Sequence, residues 1–269
     1  MRNISIEESK KIQLSILKEA HKFCEDNHLS YFLVFGTLLG AVRHHGFIPW
    51  DDDIDIAMPR KDYVFLMNHF PKDETIKAVC CENDPSYYLP FGKLYDSRTV
   101  LEENITVDSR IGVYVDVFPI DAYSVNENKN TYTTLQLKAY RDLIALKMLP
   151  DSDKRKGFRR IAHAVLRRII VFNNLNYNSR RMNRAASRYN DEKNIKYVGI
   201  RADIDQAGLQ LQYPQEIFKG RMLFPFEDGM FYGPKEYDRL LKQIYGDYMK
   251  LPPKEKQISH HEYVQYWKE

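Results

Sequence analysis

Apolar side chains at Ile6, Ile12, Ile16, Leu17, Ala20 and Phe23 recur mostly at spacings built from threes and fours, the stripe of a helix with one buried face. Ser5 stands three residues before Glu8, a capping-box arrangement, so a helix is expected over 6–27. The texture then changes. Residues 31–35 (YFLVF) form a short apolar run suited to a buried strand, with Gly36-Thr37 as a tight turn before a helical stretch over 38–45. Residues 53–58 alternate polar and apolar and end at Pro59, after which 60–70 has helical spacing. Further strands are expected at 76–80, 91–95 and 112–118, the last closing at Pro119. The first half is therefore α/β.

From residue 126 the pattern turns helical, with helices expected over 132–149, 158–172 and 179–190 and a connector over 151–157. Short strands return around 217–218 and 222–226, followed by a turn at Asp228-Gly229. A last helix is expected from 234 to 245, with Gly233-Pro234 as its start signal. The chain then divides into a core over 1–125, a helical basic insertion over 126–192, and a C-terminal part over 193–269 that completes the core.

Composition narrows the class. With 43% hydrophobic and 29% charged residues, a mean hydropathy of −0.54 and no apolar run near 18 residues, the chain is neither disordered nor membrane-spanning. The N-terminus lacks the apolar core of a signal peptide and is expected to remain in the mature chain. Cys24, Cys80 and Cys81 form no C-x-x-C pair, which suits a reducing cytoplasm. The net charge of +3 conceals an asymmetry: 154–190 holds eleven Lys or Arg and no Asp or Glu, leaving the remainder at −8.

The densest chemical signal is Trp50-Asp51-Asp52-Asp53-Ile54-Asp55-Ile56. On an extended strand Asp53 and Asp55 share one face about 6.5 Å apart, while Ile54 and Ile56 pack on the other. Such a pair repels itself unless a cation lies between, and its oxygen ligands suit Mg²⁺ or Mn²⁺ held jointly with substrate phosphates. An exposed acidic turn is the plainer alternative. The apolar setting argues against it, as does the Gly36-Thr37 turn, whose backbone N–H groups can approach a phosphate. Asp116 lies in Gly112-Val113-Tyr114-Val115-Asp116-Val117-Phe118, opposite the valine face, where a buried acid needs a metal or a basic partner. Asp121, beyond Pro119, reads as a cap or turn residue. Lys93 on its strand is a candidate phosphate grip, and Arg43 and His44 are candidates for reaching substrate. Arg98 and Thr99 are weaker, and His260-His261 reads as a surface pair.

Residues 36–56 (GTLLGAVRHHGFIPWDDDIDI), 112–121 (GVYVDVFPID) and 245–249 (YGDYM) with Pro252-Pro253 resemble the motifs of LicD-type phosphocholine transferases, relatives of fukutin and fukutin-related protein. The segment from 126 to 230 carries no motif of that pattern. The resemblance implies a nucleotidyltransferase-like fold and metal-dependent transfer of phosphocholine from CDP-choline to a sugar hydroxyl of a surface glycan precursor, teichoic acid being typical. It implies Asp53 and Asp55 as metal ligands and Asp116 as a further ligand or a base, with Gly36, Thr37, Arg43, His44, Lys93 and Trp50 as substrate-binding candidates. Choline is a quaternary ammonium ion, recognised by aromatic faces. Trp50 is the first candidate and Tyr232 a distant second.

The expected helix over 158–172 carries a continuous apolar stripe with Arg159, Arg160, Arg167 and Arg168 beside or opposite it. Either it packs on the core with solvated arginines, or it lies on an anionic membrane surface close to a lipid-linked glycan acceptor. The second reading places a cytoplasmic protein against the inner face of the membrane. No nucleic-acid module is recognisable. Two other functions remain open: a DxD glycosyltransferase using a nucleotide sugar, and a non-catalytic membrane-surface adaptor. The Gly-Thr turn before the acidic strand argues against the first, and the intact acids against the second.

Overall fold

The computed structural model describes residues 2–71, 75–103, 111–148, 174–203, 211–257 and 263–269. Its elements run β1 (Arg2–Asn3), α1 (Ile6–Asp26), β2 (Phe32–Leu33), α2 (Phe35–Arg43), β3 (Asp55–Pro59), α3 (Arg60–His69), β4 (Ile76–Val79), β5 (Gly92–Asp96), β6 (Thr99–Glu103) and β7 (Tyr114–Ala122). There follow α4 (Glu127–Met148), α5 (Leu175–Ala186), β8 (Tyr197–Gly199), β9 (Tyr213–Pro214), β10 (Arg221–Phe226), β11 (Gly229–Pro234), α6 (Tyr237–Tyr245) and β12 (Tyr263–Trp267). The helix expected over 158–172, most of the basic segment, and His260-His261 lie outside the described residues.

The central sheet has the order β2-β3-β7-β5-β4, with β8 and β9 extending it from the end of β7. β3 and β7 are parallel and the other pairs antiparallel. The valines set this arrangement. Val113, Val115 and Val117 are fully buried in the main core with Ile12, Ile16 and Leu17 of α1, while Phe118 and Ile120 on the other face pack with Phe32, Val34 and Val198. A strand covered on both faces reads as a near-continuous apolar run, and β7 is one. The start of α1 follows the capping signal, with the Glu8 N–H donating to Ser5 Oγ at 3.2 Å. The hairpin β10–β11 and the small sheet β1-β12-β6 complete the body.

Several expectations change in the fold. β7 continues through Pro119 to Ala122 instead of closing at the proline. The Asp116 N–H points to β3, bonding Ile54 O, so the N–H of odd-numbered residues points the other way. There β5 ends its pairing at Val117 and β8 begins at Asp121, so no acceptor waits at 119 and a proline is tolerated. α2 begins at Phe35, whose φ of 47° swings the chain directly from β2 into the helix, so Gly36 and Thr37 form its first turn. β3 begins at Asp55, leaving Asp53 in the preceding loop. Residues 217–218 belong to a 3-10 turn (Gln215–Phe218), with the Phe218 ring packed edge-on against Phe32. Pro234 ends β11 opposite Arg221, and α6 starts at Tyr237. Gly233 is present because a Cβ there would strike the Phe224 ring, not to start a helix.

The reversal between β10 and β11 falls at Glu227-Asp228, where Glu227 takes φ 55°. α5 begins before the expected 179, capped by Asn174 Oδ1, which accepts the Tyr177 N–H at 3.1 Å. Its Asn176 donates to the carbonyls of Cys81 and Tyr87, both at 2.8 Å, and so holds the loop beside β5.

Candidate active site

Three strands bring one residue each into a single row. Asp55 on β3 is in register with Asp116 on β7, which is in register with Lys93 on β5. All three are buried. Lys93 Nζ donates to Asp116 Oδ1 at 2.5 Å, and its ammonium lies 3.2 Å from the centre of the Tyr114 ring. The basic partner that a buried Asp116 requires is therefore Lys93. This lysine is a counter-charge to an acid and does not line the cleft described below.

Asp55 is fixed through its backbone: its N–H donates to Thr37 Oγ1 at 2.8 Å and its carbonyl accepts the Val34 N–H at 3.2 Å. Thr37 thus ties α2 to β3 instead of facing solvent. Burial raises the Asp55 carboxyl well above its ordinary value, and Asp53, Asp116 and Asp51 raise it further, with Lys93 opposing.

The loop between α2 and β3 is built to carry these acids. Gly40 lets the returning chain cross close over α2, because a Cβ there would strike the carbonyl of Gly46. Gln13 of α1 donates to Asp52 O at 2.7 Å, and the hairpin turn braces the loop through Glu227 N–H to His45 O at 2.8 Å. Gly36 is needed because a Cβ on it would collide with Asp51 Oδ2. The glycine makes room for a carboxylate in the first turn of a helix, a favourable place for negative charge.

These residues open onto a cleft of about 890 Å³, within the usual size range of small-molecule sites. One wall carries Gly36, Arg43, Trp50, Asp51, Asp53 and Asp55; the other carries Tyr245, Tyr248, Lys250, Pro252, Pro253 and Lys256. Arg43 Nη1 ties the walls together by donating to Tyr248 O at 2.8 Å. The ring of His44 packs edge-on against Trp50, with centroids 6.3 Å apart, and Arg43 Nε lies 3.4 Å from His44 Nδ1. His44 does not itself line the cleft but packs against Trp50, which does, and burial, then the charge of Arg43, lowers its pKa.

The remaining candidates separate from the cleft. Arg98 is engaged with Asp96 at 2.6 Å, and Thr99 accepts the Val113 N–H at 2.8 Å, so both hold strands together. Asp121 is a strand residue paired with Arg60 and bonded by Asn190 Nδ2 at 2.8 Å, not a cap. Tyr232 lies under Arg221, 3.9 Å from the guanidinium, and its hydroxyl reaches Glu25. That places it in the hairpin rather than the cleft. Sequence reasoning gave no role to Tyr245, Tyr248, Lys250, Lys256 or Asp51. Tyr245 lines the cleft with Asp51, Asp53 and Asp55, and burial, then the charges of Asp55 and Asp51, raises its pKa.

Among the described residues no group of three or more His, Cys, Asp or Glu side chains forms a ready-made metal cage. The donor set still fits a hard cation. Asp53 and Asp55 face a cleft in which neighbouring acids raise the Asp55 pKa, and Mg²⁺ is commonly held by one or two carboxylates with the rest of its shell from water and phosphate.

A mixed sheet with two parallel strands, an acid on each, and a helix N-terminus beside them defines a nucleotidyltransferase-like protein. The model of the LicD/FKTN/FKRP nucleotidyltransferase domain matches residues 28–147. The lipopolysaccharide cholinephosphotransferase LicD of Haemophilus influenzae is 32% identical over 273 residues, covering 97% of each chain. The chain belongs to the LicD family and is an enzyme of the transferase class. An uncharacterized protein of Rickettsia typhi is 37% identical over 123 residues, 45% of this chain and 38% of that one. Another from Rickettsia prowazekii is 41% identical over 61 residues, 23% of each.

Proposed function

We propose that the chain transfers phosphocholine from CDP-choline to a hydroxyl of a lipid-linked surface glycan of the teichoic-acid type. The observation that carries this reading is Asp55, which opens with Asp51 and Asp53 onto an acidic, aromatic-walled cleft and stands in register with the Lys93-paired Asp116 behind it. The relative named for phosphocholine transfer to lipopolysaccharide supports the head group and a glycan acceptor.

Asp53 and Asp55 are the residues that would hold Mg²⁺ or Mn²⁺, which supplies neutralisation of diphosphate charge as CMP departs. Asp116 receives the proton of the attacking hydroxyl, and Lys93 holds that carboxylate in place. Thr37 and Gly36 set the positions of Asp55 and Asp51. Arg43 keeps the two walls at a fixed separation. No helix among the described residues is long and apolar enough to cross a membrane. The acceptor's lipid carrier is proposed to bring the protein to the cytoplasmic face of the bilayer, with 154–190 as the anionic-surface contact.

Incubation with Mg²⁺, methyl-labelled CDP-choline and a glycan acceptor should place label in the glycan and release an equal amount of CMP. Absence of CMP from CDP-choline and from every other CDP-alcohol would overturn the reading.

A further inference from the structure

Two aromatic clusters lie near the acids, and size and charge distinguish them. Tyr87, Tyr88 and Tyr114 surround a cavity of about 40 Å³, room for only a water or so. The Lys93 ammonium already occupies the face of Tyr114 there, so a trimethylammonium group has neither the space nor the free ring.

The second cluster is in the cleft. Trp50 is held upright by the edge of His44, and Tyr245 ends α6 immediately before Gly246, whose φ of 67° turns the chain away. Tyr245 remains 41% exposed and lines the cleft together with Asp51, Asp53 and Asp55. Asp51 lines the same space, set against Gly36 and close enough to Asp55 to raise its pKa. The cations of this cleft are Lys250 and Lys256, on the C-terminal wall with Tyr245, and Arg43, which stands on the wall of Trp50 and Asp51 and donates to Tyr248 O. Aromatic faces plus a carboxylate are what binds a cation that can donate no hydrogen bond.

We infer that Trp50, Tyr245 and Asp51 form the subsite for the quaternary ammonium head group of the donor. This deepens the phosphocholine-transfer reading and rests on it for the identity of the donor. The subsite discriminates a permanently charged, methylated head group from neutral polyols, a distinction the diphosphate-facing Asp53 and Asp55 cannot make.

Two measurements test it. In the first, tetramethylammonium chloride is titrated into the full chain without nucleotide, and binding is followed by NMR line broadening. Wild type should bind it, and Trp50→Leu and Tyr245→Leu should each weaken binding at least tenfold, whereas Tyr114→Leu should not. In the second, CMP release from CDP-choline and CDP-glycerol is compared. The kcat/KM preference for CDP-choline should fall at least tenfold in Trp50→Leu, Tyr245→Leu and Asp51→Asn. No tetramethylammonium binding by wild type, or an unchanged preference in these variants, would overturn the subsite. Binding without CMP release from any CDP donor would uphold the subsite as a cation site and overturn the transfer reading instead.

Discussion

At the scale of single residues, Asp55 is destabilising in the folded protein. Its pKa is raised from an ordinary 3.8 by burial and by Asp53, Asp116 and Asp51. Between 3.8 and the raised value the folded state binds the more protons, so its stability falls as pH rises through that window. Asp55→Asn is therefore expected to melt higher than wild type at pH 8 without divalent cations, with the gap narrowing toward pH 4. Added Mg²⁺ should stabilise wild type and leave the variant unmoved. A variant that melts no higher at pH 8 would show that the acid is already compensated. Gly36 gives a second expectation at this scale. Gly36→Ala pushes the Asp51 carboxylate aside, so KM for the donor should rise severalfold while the melting temperature changes little. The acidic pair itself was legible in the sequence, because a DxD beside apolar alternation is a local signal. The partnership of Lys93 with Asp116 was not, since it depends on β5 and β7 being neighbours in register.

At the scale of elements, the site rests on the join between α2 and β3. Thr37→Val keeps the shape but removes the acceptor for the buried Asp55 N–H, which should cost about 1–3 kcal/mol in denaturant unfolding. A loss well below that range would mean that the N–H finds another partner. The main helices and strands of the first half were readable from periodicity, because α1 and β7 each bury a regular stripe. The misreadings came where tertiary neighbours override local signals. Pro119 continues a strand because no acceptor faces it, and Gly233-Pro234 closes a strand because a phenylalanine ring lies against the glycine. Residues 217–218 are apolar but have no ladder partner.

At the scale of the whole molecule, the cleft joins two distant parts of the chain. The wall carrying Tyr245, Tyr248, Lys250 and Lys256 comes from the end of α6 and beyond, and Arg43 is its tie to the first wall. Arg43→Met should raise KM for the donor more than it lowers kcat, and should speed proteolytic cutting after Lys250 or Lys254. Unchanged cutting would mean that packing alone holds the wall. Residues 245–249 with Pro252-Pro253 stood out by resemblance alone, and no role could be read for them, because the segment has no periodicity and its chemistry is ordinary Tyr, Lys and Pro until the fold sets it opposite the acids.

The most direct test of a phosphotransfer centre on the Asp55-Asp116-Lys93 row is the rate of CMP release from CDP-choline with Mg²⁺ and acceptor, comparing wild type with Asp55→Asn checked for folding by its melting curve. Wild type should turn over, and the folded variant should be slower by about a hundredfold or more, the loss expected when a few kcal/mol of charge neutralisation are removed. A folded variant that releases CMP at the wild-type rate would contradict it.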